Sequence, residues 1–406
     1  MSNETRERTT MPPRVALNLD KSTWTRVTFG DVAQASKEKV DPSLGGVERY
    51  IAGEHMGTDE LKIHSWGEVG DGYLGPAFHR RFHPGQVLYG SRRTYLRKVA
   101  VAEFEGVCAN TTFVVETKDS SVLLQAFLPF VMSSESFHAF AIQESKGSVN
   151  PYINWSDIAR FQFSLPPLNE QRRLSDLLWS FEYHRQSLNE FLEKSRNAQG
   201  RLVDRLYRDE SLTTLGAWVS RIEAGRSPSA SPEPAMPGEL GVLKVSAVGG
   251  RKFLPNENKR LHSMRQFRED RAVRAGDLLI TRANAQVENV ARACIVQAEH
   301  PNLMLSDKSL RLVPREGLPV RVILAVLRAS VYRTYVHEVV NGTEAKNISQ
   351  KRILTGPVPD VAPEVLATLN QMLLLLDSAD EAVLGELDRL SILRGALMRE
   401  IFEEDD

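Results

Sequence analysis

The sequence predicts an α+β protein in which two tandem mixed domains are separated and joined by two long coiled-coil helices. Three observations predict it. The chain has 406 residues, too many for one core at roughly 100–200 residues per domain. A seven-residue apolar series occurs twice, about 195 residues apart. The segments that precede the two series also correspond.

The helices come first because their signal is the longest. Leu174, Phe181, Leu188, Ser195 and Leu202 recur as Leu369, Leu376, Val383, Leu390 and Leu397. Leu177, Leu178, Phe191, Leu192 and Leu206 fill a second seam in the first stretch, as Met372, Leu373, Leu387 and Leu393 do in the second. A helix from 169 to about 207 would be ~58 Å long, which exceeds the diameter of a small domain. Mutual pairing buries both seams without help from another core. Pro166-Pro167 stops the strand-like stretch 161–165, and Asn169 can cap the helix that follows. Pro357, Pro359 and Pro363 punctuate the same place in the second copy, while Gly200, Gly385 and Gly395 are weak spots inside the helices. The expected boundaries are 1–165 for the first domain, 166–208 for the first helix, 209–358 for the second domain, and 359–406 for the second helix with an acidic tail.

In the domains, Gly85-Gln86-Val87-Leu88 parallels Gly276-Asp277-Leu278-Leu279, each a turn that enters a short apolar strand. Tyr89-Gly90-Ser91-Arg92-Arg93 follows in one copy and Ile280-Thr281-Arg282-Ala283-Asn284 in the other. Further on, Lys146-Gly147-Ser148 and Ile153 sit opposite Asn341-Gly342-Thr343 and Ile348. Stretches 107–116 and 291–298 read as strands, and 123–140 and 320–336 as helices.

Composition narrows the class. The formal net charge of -1 argues against indiscriminate nucleic-acid binding but leaves room for local basic faces. Residues 79–98 hold six Lys/Arg and no Asp/Glu, and 244–282 hold ten Lys/Arg against four acids. The balancing acids gather at 377–388 and in the tail at 403–406. No apolar run approaches a membrane span and the charged start has no apolar region behind it, so a cytoplasmic protein is expected. The two cysteines, Cys108 and Cys294, stand among apolar residues and read as core thiols rather than a disulfide or metal site.

The tract Leu165-Pro166-Pro167-Leu168-Asn169-Glu170-Gln171-Arg172-Arg173-Leu174 resembles the approach to the first conserved helix in the specificity subunits of Type I restriction-modification systems. Gly276-Asp277-Leu278-Leu279-Ile280-Thr281-Arg282, with Asn341-Gly342-Thr343 and Ile348-Ser349, is similar to the signature of their recognition domains. The resemblance runs from about Trp24 to Phe402, and it departs at Pro359-Asp360-Val361-Ala362-Pro363-Glu364, which lacks the Pro-Pro-Leu and Glu-Gln pattern. It implies two target-recognition domains in pseudo-twofold relation, an antiparallel coiled coil, two methylation subunits clasping the helices, and restriction subunits that join for cleavage. It also implies that S-adenosylmethionine, ATP and Mg²⁺ act in those partners and that this chain carries no cofactor. A rod of roughly 50–60 Å laid beside duplex DNA at ~3.4 Å per base pair would separate two reading heads by a turn or more, so a bipartite target follows.

Base reading needs cations for phosphate and side chains shaped to base edges, Arg for guanine and Asn or Gln for adenine. In the first domain the DNA-binding candidates are Arg92, Arg93, Arg97, Lys98, Lys146 and Asn150, with Tyr95 as an aromatic neighbour. In the second they are Arg282, Asn284, Gln286, Lys308, Lys346 and Asn347. For any single one of these the competing reading is a solvated surface charge. The seam residues Leu174, Phe181, Leu188, Leu369, Leu376 and Val383 are the candidate partner-binding positions.

Catalytic motifs are weak. Asn150-Pro151-Tyr152 lacks the second proline of the amino-methyltransferase motif, Gly70-Asp71-Gly72 reads as a turn, and no Walker A sequence is present. Pro359-Asp360 has no following lysine and reads as an acid near a helix start. His64, His79 and His83 lack the spacing of a metal site. The expectation is therefore a non-catalytic DNA-specificity subunit acting in phage defence. The competing expectation is a protein-binding scaffold or anti-phage adaptor on the same coiled coil.

Overall fold

The computed structural model describes residues 19–72, 74–250, 252–340 and 346–403. The chain divides into two compact units, Met1–Leu188 with Gly385–Asp406, and Asn189–Leu384. Two long helices, Leu168–Asp209 and Pro363–Phe402, contribute to both. The first runs unbroken through Gly200 and the second through Gly385 and Gly395, so glycine's helix cost of about 1 kcal/mol does not interrupt either one.

The first unit holds two four-stranded sheets. One runs in the order Ala33–Ala35, Thr112–Thr117, Val87–Gly90, Val99–Val101 and is antiparallel throughout. The other runs Gly67–Glu68, Arg49–Ile51, Gly106–Ala109, Phe78–Phe82, with Arg49–Ile51 parallel to Gly106–Ala109. A two-stranded ribbon pairs Thr25–Thr28 with Gln162–Leu165. The core under the first sheet is aromatic. Phe29, Tyr89, Phe137 and Phe161 are buried together, and Phe137 meets the other three rings edge-on at 5.1–5.7 Å, the geometry that ring quadrupoles favour.

The second unit repeats this plan. Its four-stranded sheet runs Val219–Glu223, Ser309–Pro314, Leu278–Thr281, Ala293–Ile295, and its five-stranded sheet has Gly241–Leu243 parallel to His300–Met304. The ribbon here pairs Leu212–Thr214 with Pro357–Pro359. Gly85 and Gly276 take φ of 86° and 83° ahead of the equivalent strands Val87–Gly90 and Leu278–Thr281. A side chain at either position would strain that turn, so the repeated glycines mark one backbone shape used twice.

Each unit closes on an antiparallel pair of helix segments. In the first, Leu174 and Leu178 share a core with Leu397, Met398, Ile401 and Phe402. In the second, Val203 shares a core with Leu366, Leu369 and Leu373. Each seam also carries a polar pair at a position that the repeat relates. Arg394 donates to the Glu182 carboxylate at 2.6 Å, and Gln199 donates to Asp377 at 3.3 Å. The repeat offset carries Glu182 onto Asp377 and Gln199 onto Arg394, so both pairs occupy one structural position with different chemistry.

Local expectations needed correction at four places. Stretch 123–140 is not one helix but Leu128–Met132 and Glu135–Gln143, because the Ser134 hydroxyl caps the second by accepting from the Phe137 amide. Stretch 320–336 breaks at extended Ala329 into Val320–Arg328 and Ser330–Val339, and both pieces thereby face one core through Val326 and Tyr332. Stretch 107–116 divides between two sheets through the turn at Asn110 and Thr111. Stretch 291–298 keeps only Ala293–Ile295 as a strand, since Ala291 has φ of 55°, outside the extended region. Asn341, Gly342 and Thr343, and the tail beyond Glu403, lie outside the described residues.

Candidate DNA interface

In each unit a hairpin loop and a distant segment are tied into one surface. In the first, strand Val87–Gly90 leads through Ser91, Arg92 and Arg93 into the short turn Thr94–Leu96 and returns through Arg97 and Lys98 to Val99–Val101. Segment 146–153 is closed by reciprocal bonds between Lys146 and Tyr152 at 2.8 and 2.9 Å. It is pinned to the hairpin by Arg93 N–H to Pro151 O at 2.6 Å and Ile153 N–H to Ser91 O at 3.0 Å. Arg93 sits at φ of 51°, and its Nε donates to Asn150 Oδ1 at 3.1 Å. Arg92, Arg93, Lys146 and Asn150 are exposed, with Tyr95 beside them. Asn150-Pro151-Tyr152 therefore serves as the strap of this loop.

The second unit builds the same junction. Ile348 N–H reaches Arg282 O at 3.0 Å, as Ile153 reaches Ser91. Arg282 N–H reaches Lys308 O at 2.8 Å, as Ser91 N–H reaches Thr111 O at 2.9 Å. Ala283–Asn284 pairs antiparallel with Lys346–Asn347, bringing Asn284 opposite Lys346. Asn284 Oδ1 accepts from the Gln286 amide at 3.1 Å, and Asn289 bridges Asn284 and Gln286 side chains. All six candidates of this unit therefore belong to one cluster.

Not every basic candidate faces outward with free donors. Arg97 is held internally by Asp59 and Glu135, both at 2.8 Å. Lys98 Nζ donates to the Gly53 carbonyl. Lys146 pairs with Asp157 at 2.8 Å, and that hydrogen bond is the largest cause holding the Asp157 carboxyl below its usual range. A depressed folded pKa stabilises the fold above the unfolded value near 3.9, and the gain is lost as pH falls through the lower folded value. Asp157→Asn is thus expected to cost stability at pH 7 in thermal melts. The gap from the wild type should narrow progressively below about pH 4; a gap that is constant down to pH 2 would remove this role from the pair.

Under the first loop lies His138, 1% exposed, with both ring nitrogens unpartnered. Burial first, then the Arg97 charge, lower its pKa to about 3, so the ring is neutral despite Asp59 at 3.8 Å. The repeat places Arg333 in the corresponding position, where it donates to the loop carbonyls of Val290 and Glu288. Cys108 and Cys294 are buried and free, and burial pushes each thiol up to about 12. Among the described residues no group of three His, Cys, Asp or Glu side chains is placed to hold a metal, and no helix is long and apolar enough to cross a membrane.

The six seam positions expected to meet partner subunits are largely engaged by the chain itself. Leu174 and Leu369 are only 1% and 5% exposed inside the cores of their own units, and Phe181, Leu188, Leu376 and Val383 are half-buried. The helix faces left to a partner carry Leu177, Tyr183 and Phe191 on the first helix, and Met372, Leu374 and Leu375 on the second. Helical periodicity marked the seam but could not say which of its two edges the chain would cover.

Residues 21–194 match the family described as the Type I restriction modification DNA specificity domain. The specificity subunit of the Type I restriction enzyme EcoEI from Escherichia coli is 31% identical over 148 residues, 36% of this chain and 25% of that protein. The EcoDI specificity subunit, also from Escherichia coli, is 25% identical over 191 residues, 46% of this chain and 42% of that protein. The matches thus span about a quarter and about two fifths of the relatives' own lengths. The crystal structure of the Type I restriction-modification S subunit from M. genitalium shares the fold, with a TM-score of 0.60 at 15% identity, covering 98% of this chain and 100% of that one.

Proposed function

From a chain that carries a Type I restriction modification DNA specificity domain at residues 21–194, we propose a non-catalytic DNA-specificity subunit whose two units each read one half of a bipartite duplex target. The observation that carries this reading is the junction built twice, a hairpin loop strapped to a distant segment, each presenting cations and amides together. Arg92, Arg93, Lys146 and Asn150 serve in the first unit, and Arg282, Asn284, Gln286, Lys308, Lys346 and Asn347 in the second. Arg side chains suit guanine edges and phosphates, and Asn and Gln suit adenine. Arg97 is left out because Asp59 and Glu135 engage its guanidinium, and Lys98 because its ammonium donates to the Gly53 carbonyl.

On this reading the chain works in the cytoplasm with partners that hold the chemistry. Methylation subunits using S-adenosylmethionine dock on the exposed leucines and aromatics of the long helices, two per chain. Restriction subunits using ATP and Mg²⁺ complete the complex. The test is single-molecule sequencing of modified bases in cells with and without the gene. A motif of two short fixed halves around unspecified bases, methylated only when the gene is present, is expected. A single continuous motif, or methylation indifferent to the gene, would remove the two-headed reading.

A further inference from the structure

Strand Val219–Glu223 leaves the four-stranded sheet of the second unit into Gly225-Arg226-Ser227, a segment outside the candidates named above. Hydrogen bonds lay it along Ser306-Asp307. Gly225 N–H donates to Ser306 O at 3.0 Å and Asp307 N–H to Ser227 Oγ at 3.4 Å, while the Ser227 hydroxyl donates to the Asp307 carboxylate. The approach is so close that a side-chain carbon at Gly225 would fall on the Leu305 carbonyl, and a glycine lets the chain pass. Lys308 follows directly, and its carbonyl accepts from Arg282 N–H at 2.8 Å. Arg282 O in turn accepts from Ile348 N–H at 3.0 Å. Segments 225–227, 306–308, 282–286 and 346–348 are therefore bonded side by side, with Arg226 next to the residue that is tied to the neighbour of Lys308.

The charged side chains of these four segments are Arg226, Arg282, Lys308 and Lys346, against Asp307 alone. Arg226 and Lys308 are exposed and Arg282 is half-buried. Among the described residues the side chains of these three cations make no ion pair or hydrogen bond, and the one acid is engaged by Ser227. A partnerless surface arginine is ordinary by itself. This one is different because its backbone is strapped to the chain that carries Lys308, beside the amides of Asn284 and Gln286. No neighbour fixes the plane of its guanidinium. Such a group suits phosphate, where charge matters most, better than a base edge that demands bidentate geometry.

We infer that Gly225-Arg226-Ser227 is a further DNA-facing segment of the second unit, in which Arg226 contacts the phosphate backbone of the duplex. This rests on the DNA-reading function proposed above and deepens it. The contact fixes register and carries no sequence information of its own.

The experiment uses the full chain and a duplex carrying the methylated motif, titrated between about 50 and 200 mM salt. Arg226→Gln is expected to reduce the slope of log affinity against log salt by about 0.9 and affinity at physiological salt about fivefold. Arg226→Lys should restore both. Because the side chain is exposed and unpartnered, an unchanged thermal melt is expected for each variant. Arg226→Cys carrying an iron chelate that cuts nearby DNA reports position. Native Cys108 and Cys294 are buried with thiols pushed up to about 12, so the label goes to residue 226. Cutting confined to one half of the motif is expected. A wild-type slope in Arg226→Gln, a loss that Lys fails to rescue, or cutting that is absent or falls in both halves overturns the assignment while leaving DNA reading intact. Absence of any motif, or wild-type protein that binds no duplex, overturns the DNA reading and this inference with it.

Discussion

Arg394→Ala is expected to destabilise the first unit by about 3–5 kcal/mol, the usual result of removing one partner from a buried ion pair. Glu182 is 1% exposed in the helix seam and accepts from Arg394 Nε at 2.6 Å and Arg185 Nη2 at 2.9 Å. Arg185 sits on the same helix three residues on, more solvated than the acid, and cannot alone compensate a carboxylate taken out of water. The desolvation cost of Glu182 persists when Arg394 is cut away, which is why deletion hurts more than the pair itself helps. Urea unfolding followed by tryptophan fluorescence reports chiefly on this unit, which holds Trp24, Trp66, Trp155 and Trp179, against Trp218 in the other. Glu182→Met combined with Arg394→Leu should recover most of the loss, since an apolar seam needs no counter-charge. A change below about 1 kcal/mol in the single variant would show that water reaches the acid.

Arg92→Gln with Arg93→Gln is expected to weaken duplex binding on the order of thirtyfold near 0.15 M salt and to lower the salt slope by about 1.8, if each contributes one phosphate contact. The paired change is informative because the two residues are held differently. Arg93 is fixed by its positive φ, by the Pro151 carbonyl and by Asn150 Oδ1. Arg92 is bridged through its backbone to Tyr152 and projects an exposed side chain. Single variants separate them. If one carries base readout rather than phosphate contact, its loss should relax one position of the methylated motif and leave the slope nearly unchanged. Full affinity in the double variant would move the interface elsewhere on the unit.

The long helices were legible because their signal is redundant. Ten seam residues in two series agree on one period, and proline brackets both starts. The strand-loop junctions were legible in part, through Gly85 and Gly276, whose positive φ few other residues tolerate. Sheet order was not, because strands of two to six residues leave pairing to contacts far apart in sequence. The ion pairs of Arg97 were hidden for a related reason. Its acids, Asp59 and Glu135, lie 38 residues before and 38 after it, and only the fold brings them together. The break at Ala329 has no proline or glycine to announce it; tertiary packing of Val326 and Tyr332 decides it.

The Arg394 to Glu182 bond joins residues 212 apart, so the acid and its base are encoded far from each other. Transplanting residues 19–188 into another scaffold would move the carboxylate and abandon its guanidinium. A working exchange of reading heads has to carry the closing helical segment along, or land in a host that already supplies a cation there. Modularity in this architecture is thus licensed by a residue outside the module, and a library of such chimaeras should sort into soluble and insoluble members by the identity of that one distant side chain.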